Sequence, residues 1–197
     1  MRPLNLNNVI AKKDGEYDRL EPGAYVCAVT EAEDFPTKQY VRVLVDIIQG
    51  PRANYFADKY YESKPFAHSI ILSYTDRALP MLKGRLETIS ECNPGFDAVA
   101  AFSGGNEKML VGKSLGVVFR EEEYYDEKTG EFKMGAARPD RIIAFGDMDK
   151  ERNQHPKPKM MTDEQKRAKL QAAGAASAYG STSTGIASEA ADVEVPF

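Results

Sequence analysis

The stretch KQYVRVLVDIIQG, residues 38–50, shows the most regular side-chain alternation in this chain. Its odd-numbered positions carry Val41, Val43, Val45 and Ile47. Successive side chains of a β-strand point to opposite faces, so the pattern predicts a strand whose β-branched face lies in the core. The even-numbered positions, from Tyr40 to Ile48, are mixed in character and predict the opposite face of the strand.

Further strands are predicted on both sides of this stretch. PGAYVCAVTEAE (22–33) precedes it through the connection EDFPT, which is suited to a hairpin, and HSIILSYT (68–75) follows it. The late segment KSLGVVFREEEYYDEKTGEFKMGAARPDRIIAF (113–145) predicts three more strands, with Gly130 suited to positive φ in the turn DEKTGE.

One helix is predicted between the early and the late strands. Leu79, Leu82, Leu86 and Ile89 follow the spacing of a single helix face, with Pro80 in the first turn and Asn93-Pro94-Gly95 at the end. The count and order predict a mainly β fold, an OB-fold-like barrel of five or six strands with one inserted α-helix. An open five-stranded sheet with one packed helix fits the pattern nearly as well.

Composition limits the class of protein. The 197 residues carry 26 basic and 30 acidic side chains, a net charge of −4, which argues against a protein that coats duplex DNA by bulk charge. Cys27 and Cys92 form no CxxC pair, which favours a reducing environment. The first residues lack the apolar region of a signal peptide, and no apolar run is long enough to span a membrane.

Composition also divides the chain into segments. We expect an N-terminal extension (1–19), a folded domain (20–150), a flexible linker (151–191) and a short C-terminal tip (192–197). Small and polar residues dominate from 172 to 191, and such a segment buries too little apolar surface to fold. Within the linker, Thr162 and Gln165 have capping-box spacing and predict a short helix over residues 162–173.

Catalytic patterns are weak in this sequence. Carboxylates concentrate at 121–123 and 126–127, but strand alternation sends Glu122 to the face opposite Glu121 and Glu123. His68 and His155 have no metal-ligand neighbour at a typical spacing. We therefore expect no catalytic residues, no metal and no cofactor, and a protein that is not an enzyme. A metal-dependent nuclease that uses the 121–127 carboxylates remains one alternative.

Aromatic and basic residues are interleaved along several predicted strands. Single-stranded nucleic acid needs both kinds of side chain, rings for the bases to stack on and cations that follow the phosphates. KQYVR, for example, places Lys38, Tyr40 and Arg42 on one strand face. The candidate DNA-binding residues are Lys38, Tyr40, Arg42, Lys59, Tyr60, Tyr61, Lys64, Lys113, Arg120, Tyr124, Lys133 and Arg138.

The last six residues, DVEVPF, resemble the acidic C-terminal tip of bacterial single-stranded DNA-binding proteins. The resemblance implies a partner-binding tip made of Asp192, Glu194, Val195, Pro196 and Phe197, which would recruit replication and recombination proteins. In this chain the acids are fewer and are interrupted by valine, and the linker has Ala, Ser and Thr where the family has Gln and Pro. Removal of residues 189–197 is expected to tighten DNA binding and to abolish partner binding.

A second resemblance covers residues 20–147. SECNPGFD (90–97) and LVGKSLGVVFREEEYYDEKTGEFK (110–133) are similar to phage and prophage proteins that bind single-stranded DNA through an OB-like domain. This resemblance implies non-enzymatic, largely sequence-independent DNA binding in phage replication and recombination, in the cytoplasm of a bacterial host. A phage adaptor that captures a host factor without touching DNA, a strand-annealing protein and a homo-oligomer remain open.

Overall fold

The computed structural model describes residues 19–154 and 156–180. Contacts group the described residues into two compact units, one of residues up to 121 with those from 136 to 158 and the other of residues 122–135 with those from 159 onward. Most of the predicted extension (1–19), the linker at 181–191, the tip at 192–197 and His155 lie outside the described residues.

The first unit is built on a five-stranded antiparallel sheet. The strands of the described residues are β1 (Gly23–Phe35), β2 (Tyr40–Ile47), β3 (Ser69–Ser73), β4 (Ser114–Arg120), β5 (Glu123–Asp126), β6 (Glu131–Met134) and β7 (Arg138–Ile143). The main sheet has the order β3-β2-β1-β4-β7. Because neighbours are antiparallel, the edge strands β3 and β7 run parallel to each other, and they are in contact. The sheet is thus a nearly closed barrel, and the prediction of a small, mainly β barrel is confirmed.

β1 connects the two halves of the barrel. Its first residues pair with β4 and its later residues pair with β2, and the register shifts between Val29 and Glu31. An extra residue at such a bulge bends a strand and increases its twist. The bend lets one strand of 13 residues serve both halves of the curved sheet.

Five α-helices complete the described residues: α1 (Lys59–Glu62), α2 (Leu79–Cys92), α3 (Ala98–Ser103), α4 (Met148–Asn153) and α5 (Asp163–Gly180). α2 is the helix predicted between the early and late strands, and its Pro80 lies in the first turn as expected. Leu82, Leu86 and Ile89 are buried in the barrel core, whereas Leu79 is 46% exposed. Leu79 is the first residue of the helix, and the predicted face is buried only from Leu82 onward.

The core confirms the alternation of β2. Val41, Val43, Val45 and Ile47 are all buried at 3% exposure or less. β4 is buried on both faces, because its opposite side packs in a second cluster with Ala24, Val26, Ile143 and Met148 of α4. The sequence of β4 therefore shows no alternation of apolar and polar residues, as is typical of a strand that is covered on both faces.

Two strand predictions need correction. β1 continues through Phe35, so the connection to β2 is a tight turn of Pro36–Lys38 followed by Gln39 in the left-handed region. Residues 113–145 form four strands and not three, because β5 and β6 pair only with each other in a separate hairpin. Gly130 has φ +71° in that hairpin turn, as predicted.

The second unit combines this hairpin with residues of the predicted linker. The capping box is present, since Thr162 N donates to Gln165 Oε1 at 3.0 Å and Gln165 N donates to Thr162 Oγ1 at 3.2 Å. α5 then continues to Gly180, seven residues beyond the predicted end.

Candidate nucleic-acid interface

Tyr40 and Arg42 lie on the outer face of β2, opposite its buried valines. The Tyr40 ring stacks on Phe35 of β1, with ring centroids 4.9 Å apart and an angle of 28° between planes. The Arg42 guanidinium lies 5.0 Å from the centroid of the same Phe35 ring and donates to Glu33. Phe35 pairs with Tyr40 and Glu33 with Arg42 across the two strands, so the register of the hairpin assembles this cluster.

Lys38 does not belong to that strand face. It lies in the short 3-10 turn between β1 and β2, where its side chain is exposed. The prediction that Lys38, Tyr40 and Arg42 share one face is therefore correct for two of the three residues. The reason is the left-handed Gln39, which breaks the alternation before β2 begins.

Tyr60 and Lys64 form an exposed ring and cation pair in the loop between β2 and β3. Tyr60 is 60% exposed, and the Lys64 ammonium lies 3.2 Å from its ring centroid. Asp58 starts the short helix α1 by accepting the backbone N–H of Tyr60 at 2.8 Å, which fixes the position of the ring. Lys59 is the exposed first residue of the same helix.

Phe66 and Arg138 form a second such pair beside the seam between β3 and β7. Phe66 is 55% exposed, and the Arg138 guanidinium lies 5.0 Å from its ring centroid. Phe66 lies shortly before β3, and Arg138 is the first residue of β7. The closure of the barrel therefore brings together two residues that are 72 positions apart in sequence.

Tyr61 has a different position from its neighbour Tyr60. Its ring packs against Tyr55, Phe56 and His68, and burial raises the pKa of its hydroxyl above the usual value. His68 in turn stacks on Phe56 with ring centroids 4.9 Å apart, and its Nδ1 lies 2.9 Å from the carbonyl oxygen of Val45. Tyr61 thus supports the loop that carries Tyr60.

Asp46 anchors the same loop from the barrel side. It is buried, and its Oδ1 accepts the backbone N–H groups of Ile47 at 2.8 Å and Phe56 at 2.9 Å. A buried carboxylate is tolerated when such hydrogen bonds replace those to water.

Arg120 lies at the end of β4, where it pairs in register with Arg138. Its Nη2 donates to Asp140 at 2.6 Å, while its Nε is buried without a hydrogen-bond partner. The cation is therefore held by a carboxylate of β7, and a phosphate would have to compete with Asp140 for it.

Lys113 lies near the end of β2 that is far from Tyr40. Ser114 pairs with Ala28, which pairs with Asp46, six positions along β2 from Tyr40. At about 3.3 Å per residue this separates the two places by about 20 Å. The Lys113 ammonium lies 4.3 Å from the ring centroid of Phe96, beside a groove of about 480 Å³. The other residues that line the groove include Ile48, Asn93 and Phe145.

Tyr124 and Lys133 belong to the second unit, where they face each other across the β5–β6 hairpin. Tyr124 is 45% exposed. Lys133 donates to Asp126 at 2.7 Å, and this hydrogen bond lowers the pKa of Asp126 to about 2 and raises that of Lys133.

The carboxylates of residues 121–127 do not converge. Glu122 accepts from Lys159 at 2.6 Å, and Glu123 accepts from Lys166 at 2.9 Å. Within the part of the chain that the structure describes, no group of three or more metal-ligating side chains is present. The same part of the chain contains no helix that is long and apolar enough to cross a membrane.

Two contributions were missed or undervalued by sequence reasoning. Phe35 was assigned to a connection, although it supports both Tyr40 and Arg42. Extending the first predicted strand by two residues, from 33 to 35, would have placed Phe35 opposite Tyr40. Phe66 belongs to the aromatic and basic stretch DKYYESKPF, but its cation comes from β7, and no local pattern indicates that contact.

Asp192, Glu194, Val195, Pro196 and Phe197, the residues of the predicted partner-binding tip, lie outside the described residues. Comparison with known proteins identifies no relative, since no family model and no curated protein matches this chain.

Proposed function

We propose that this protein binds single-stranded DNA on an OB-fold barrel, without catalysing a reaction. The topology supports the fold assignment. In chain order the barrel strands are β1, β2, β3, β4 and β7, and helix α2 lies between the third and the fourth. Neighbouring strands of the sheet are antiparallel, whereas the two edge strands β3 and β7 run parallel where they meet. OB-folds have this five-stranded architecture, and they bind oligonucleotides on the face of strands 2 and 3 and on the loops between strands 1 and 2 and between strands 4 and 5.

The observation that carries the proposal is a set of three aromatic rings, each with a cation beside it, on the barrel and on the loop before β3. Tyr40 with Arg42 lies on β2, Tyr60 with Lys64 lies in the loop before β3, and Phe66 with Arg138 lies at the β3–β7 seam. Flat rings that stack bases, next to cations that meet phosphates, are the two elements that single-strand binders combine.

The same chemistry argues for weak sequence preference. Every base has a π-face, so stacking on Tyr40, Tyr60 or Phe66 accepts any of them. A duplex is a poor ligand for such a surface because its bases are already stacked and paired. The net charge of −4 also gives little general attraction for duplex DNA.

Resemblance extends the proposal to a biological role. The phage-type sequence pattern of residues 20–147 supports a place in phage replication and recombination, and the tip at 192–197 supports recruitment of partner proteins. A terminal phenylalanine next to a proline suits a docking pocket, because its ring is apolar and the proline limits the entropy lost on binding.

Fluorescence anisotropy of a labelled thymidine oligonucleotide, with a matched duplex as control, tests the proposal. We expect tight binding of the single strand and weak binding of the duplex. Tyr60→Ser and Phe66→Ser should each weaken single-strand binding by about 1–3 kcal/mol. Met81→Ser on α2, which also removes an exposed apolar side chain, should change nothing.

The absence of single-strand binding even at low salt would contradict the proposal. Equal effects of Phe66→Ser and Met81→Ser would contradict the assignment of the face. Removal of residues 189–197 in the same assay should tighten binding if the acidic tip opposes DNA.

A further inference from the structure

The second unit contains a groove in a region where the sequence indicated a linker. Its floor is formed by residues 122–125, most of them in β5, beside a parallel bridge between Glu122 and Lys159. The backbone N–H of Glu123 donates to the carbonyl of Lys159 at 2.9 Å, which holds residues 159–161 alongside β5. The capping box at Thr162 then starts α5, whose first turns form the other wall.

The groove has a volume of about 560 Å³. One wall is the α5 face of Gln165, Ala168, Lys169 and Ala172, which recur at helical spacing. The opposite side includes Tyr124, Met160 and Met161. Because the two alanines are small, the helix face leaves room above the hairpin.

The acidic side chains of the groove are already paired. Glu122 accepts from Lys159, and Glu123 accepts from Lys166 at 2.9 Å and from the backbone N–H of Met161 at 3.0 Å. The hydrogen bond from Lys166 lowers the pKa of Glu123. Lys169 adds a positive charge to the lining, so the groove does not present free negative charge to an anionic ligand.

Tyr124 and Met160 are accessible within this lining, at 45% and 56% exposure. Gly135 adjoins the Tyr124 ring, and a Cβ at that glycine would lie 3.6 Å from Cδ1 of the ring. Since Gly135 has no side chain, this part of the ring is left uncovered.

We propose that this groove binds a nucleotide of single-stranded DNA, with the base stacked on Tyr124 beside Met160 and the phosphate near Lys169. The exposed ring, the flexible thioether and the positive charge of Lys169 together match the stacking and charge that single strands require. This inference rests on the proposed function and adds a second contact that is separate from the barrel face. An acidic peptide with an apolar anchor is the competing occupant.

Methyl NMR of the full chain labelled at the methionine methyl groups tests the site directly. A thymidine oligonucleotide of about 16 nucleotides is titrated in, a length at the upper end of what one OB-fold covers. We expect a ring-current shift of the Met160 methyl and none of Met81, a methionine on α2 that is also exposed. Met160→Leu assigns the signal.

Affinity measurements with variants provide a second readout. Tyr124→Ser should weaken binding of the same oligonucleotide at least fivefold, the equivalent of about 1 kcal/mol of stacking, while Tyr124→Phe should keep it. Lys169→Gln should weaken binding, and Lys83→Gln on α2 serves as the matched loss of one exposed lysine. Circular dichroism of each variant establishes that the fold is retained.

The outcomes separate this inference from the proposed function. If the oligonucleotide binds and the Phe66→Ser variant weakens it, but the Met160 methyl does not move, the groove proposal is wrong and the barrel proposal stands. If no oligonucleotide binds at all, both are wrong. A Met160 shift with an acidic peptide ending in phenylalanine, and none with DNA, would overturn the nucleotide assignment in favour of a peptide.

Discussion

At the scale of single residues, Asp126 shows how one contact controls a titration. Its carboxylate accepts from Lys133 Nζ at 2.7 Å, from the backbone N–H of Lys128 at 3.0 Å and from Thr129 Oγ1 at 3.0 Å. These bonds favour the ionised form, and the hydrogen bond from Lys133 makes the largest contribution to a pKa of about 2.

This pKa leads to a prediction about pH. Because the carboxyl pKa is lower in the folded state than the ordinary pKa of about 3.9, ionised Asp126 stabilises the folded hairpin at any pH above 3.9. This stabilisation is lost as the pH falls through the pKa of the folded state. Lys133→Met should raise the Asp126 pKa toward the ordinary value, because the hydrogen bond that contributes most to the low pKa disappears. Carboxyl ¹³C NMR titration measures both values. An unchanged midpoint in the variant would show that the Lys128 amide and the Thr129 hydroxyl hold the carboxylate without Lys133.

Single residues also show how far the sequence could predict the site. Tyr40 and Arg42 follow from alternation, since residues two apart in a strand share a face. Asp46 occupies the same alternating set, yet it is buried, because the loop after β2 folds back and donates Phe56 N to it. Alternation describes one strand by itself and contains no information about a loop that covers it.

At the scale of elements, the packing of β4 against β7 depends on Gly116. A Cβ at this position would lie 2.7 Å from the carbonyl oxygen of Ile143, 2.8 Å from Ile143 Cγ1 and 2.9 Å from Met148 Sδ. Gly116 also pairs in register with Ile143. The close approach of the two strands therefore excludes any side chain at this residue.

Two glycine substitutions with opposite expected effects test this packing. Gly116→Ala should lower the free energy of unfolding by about 1–3 kcal/mol, as expected for an overpacked core. Gly84→Ala in the middle of α2 meets no atom within 4 Å and should raise it by about 0.5–1 kcal/mol, because alanine is the better helix former. Urea denaturation measures both. A neutral Gly116→Ala would mean that β4 and β7 can separate at little cost.

Strands and helices that carry a local side-chain pattern could be predicted from the sequence, whereas the partner of each strand in the sheet could not. The valines of β2, the leucine spacing of α2 and the capping box of α5 are all local patterns, and the structure contains each of them. The division of residues 113–145 between a barrel sheet and a separate hairpin depends on which distant strand each segment meets. β5 and β6 have strand-like composition, but only β4 and β7 reach partners in the main sheet.

At the scale of the whole molecule, the basic side chains differ in what they contact. The chain has a net charge of −4. Several basic residues of the first unit have carboxylate partners, as Arg42 has Glu33 and Arg120 has Asp140. Lys64 and Arg138 instead lie over aromatic rings. The proposed DNA face thus relies on a few local cations, and long-range attraction contributes little.

The salt dependence of single-strand binding tests whether these local cations contact phosphates. For a single strand, log K falls with log salt by about 0.7 for each phosphate contact. Arg138→Gln should therefore lower both the affinity and the slope, the latter by about 0.7, because one phosphate contact is lost. Phe66→Ser should lower the affinity and leave the slope unchanged, since stacking releases no counterions. Anisotropy titrations of a thymidine oligonucleotide across a salt series measure the two quantities separately.

Lys83→Gln on α2 is the control for overall charge, since its side chain is exposed and pairs only with Glu87 among the contacts described. It changes the net charge by the same amount as Arg138→Gln. If both variants reduced the slope equally, the salt dependence would come from the net charge of the molecule and Arg138 would have no phosphate of its own. If only Arg138→Gln reduces it while Phe66→Ser does not, ring and cation act on different parts of the nucleotide, as a surface that stacks bases and neutralises phosphates requires.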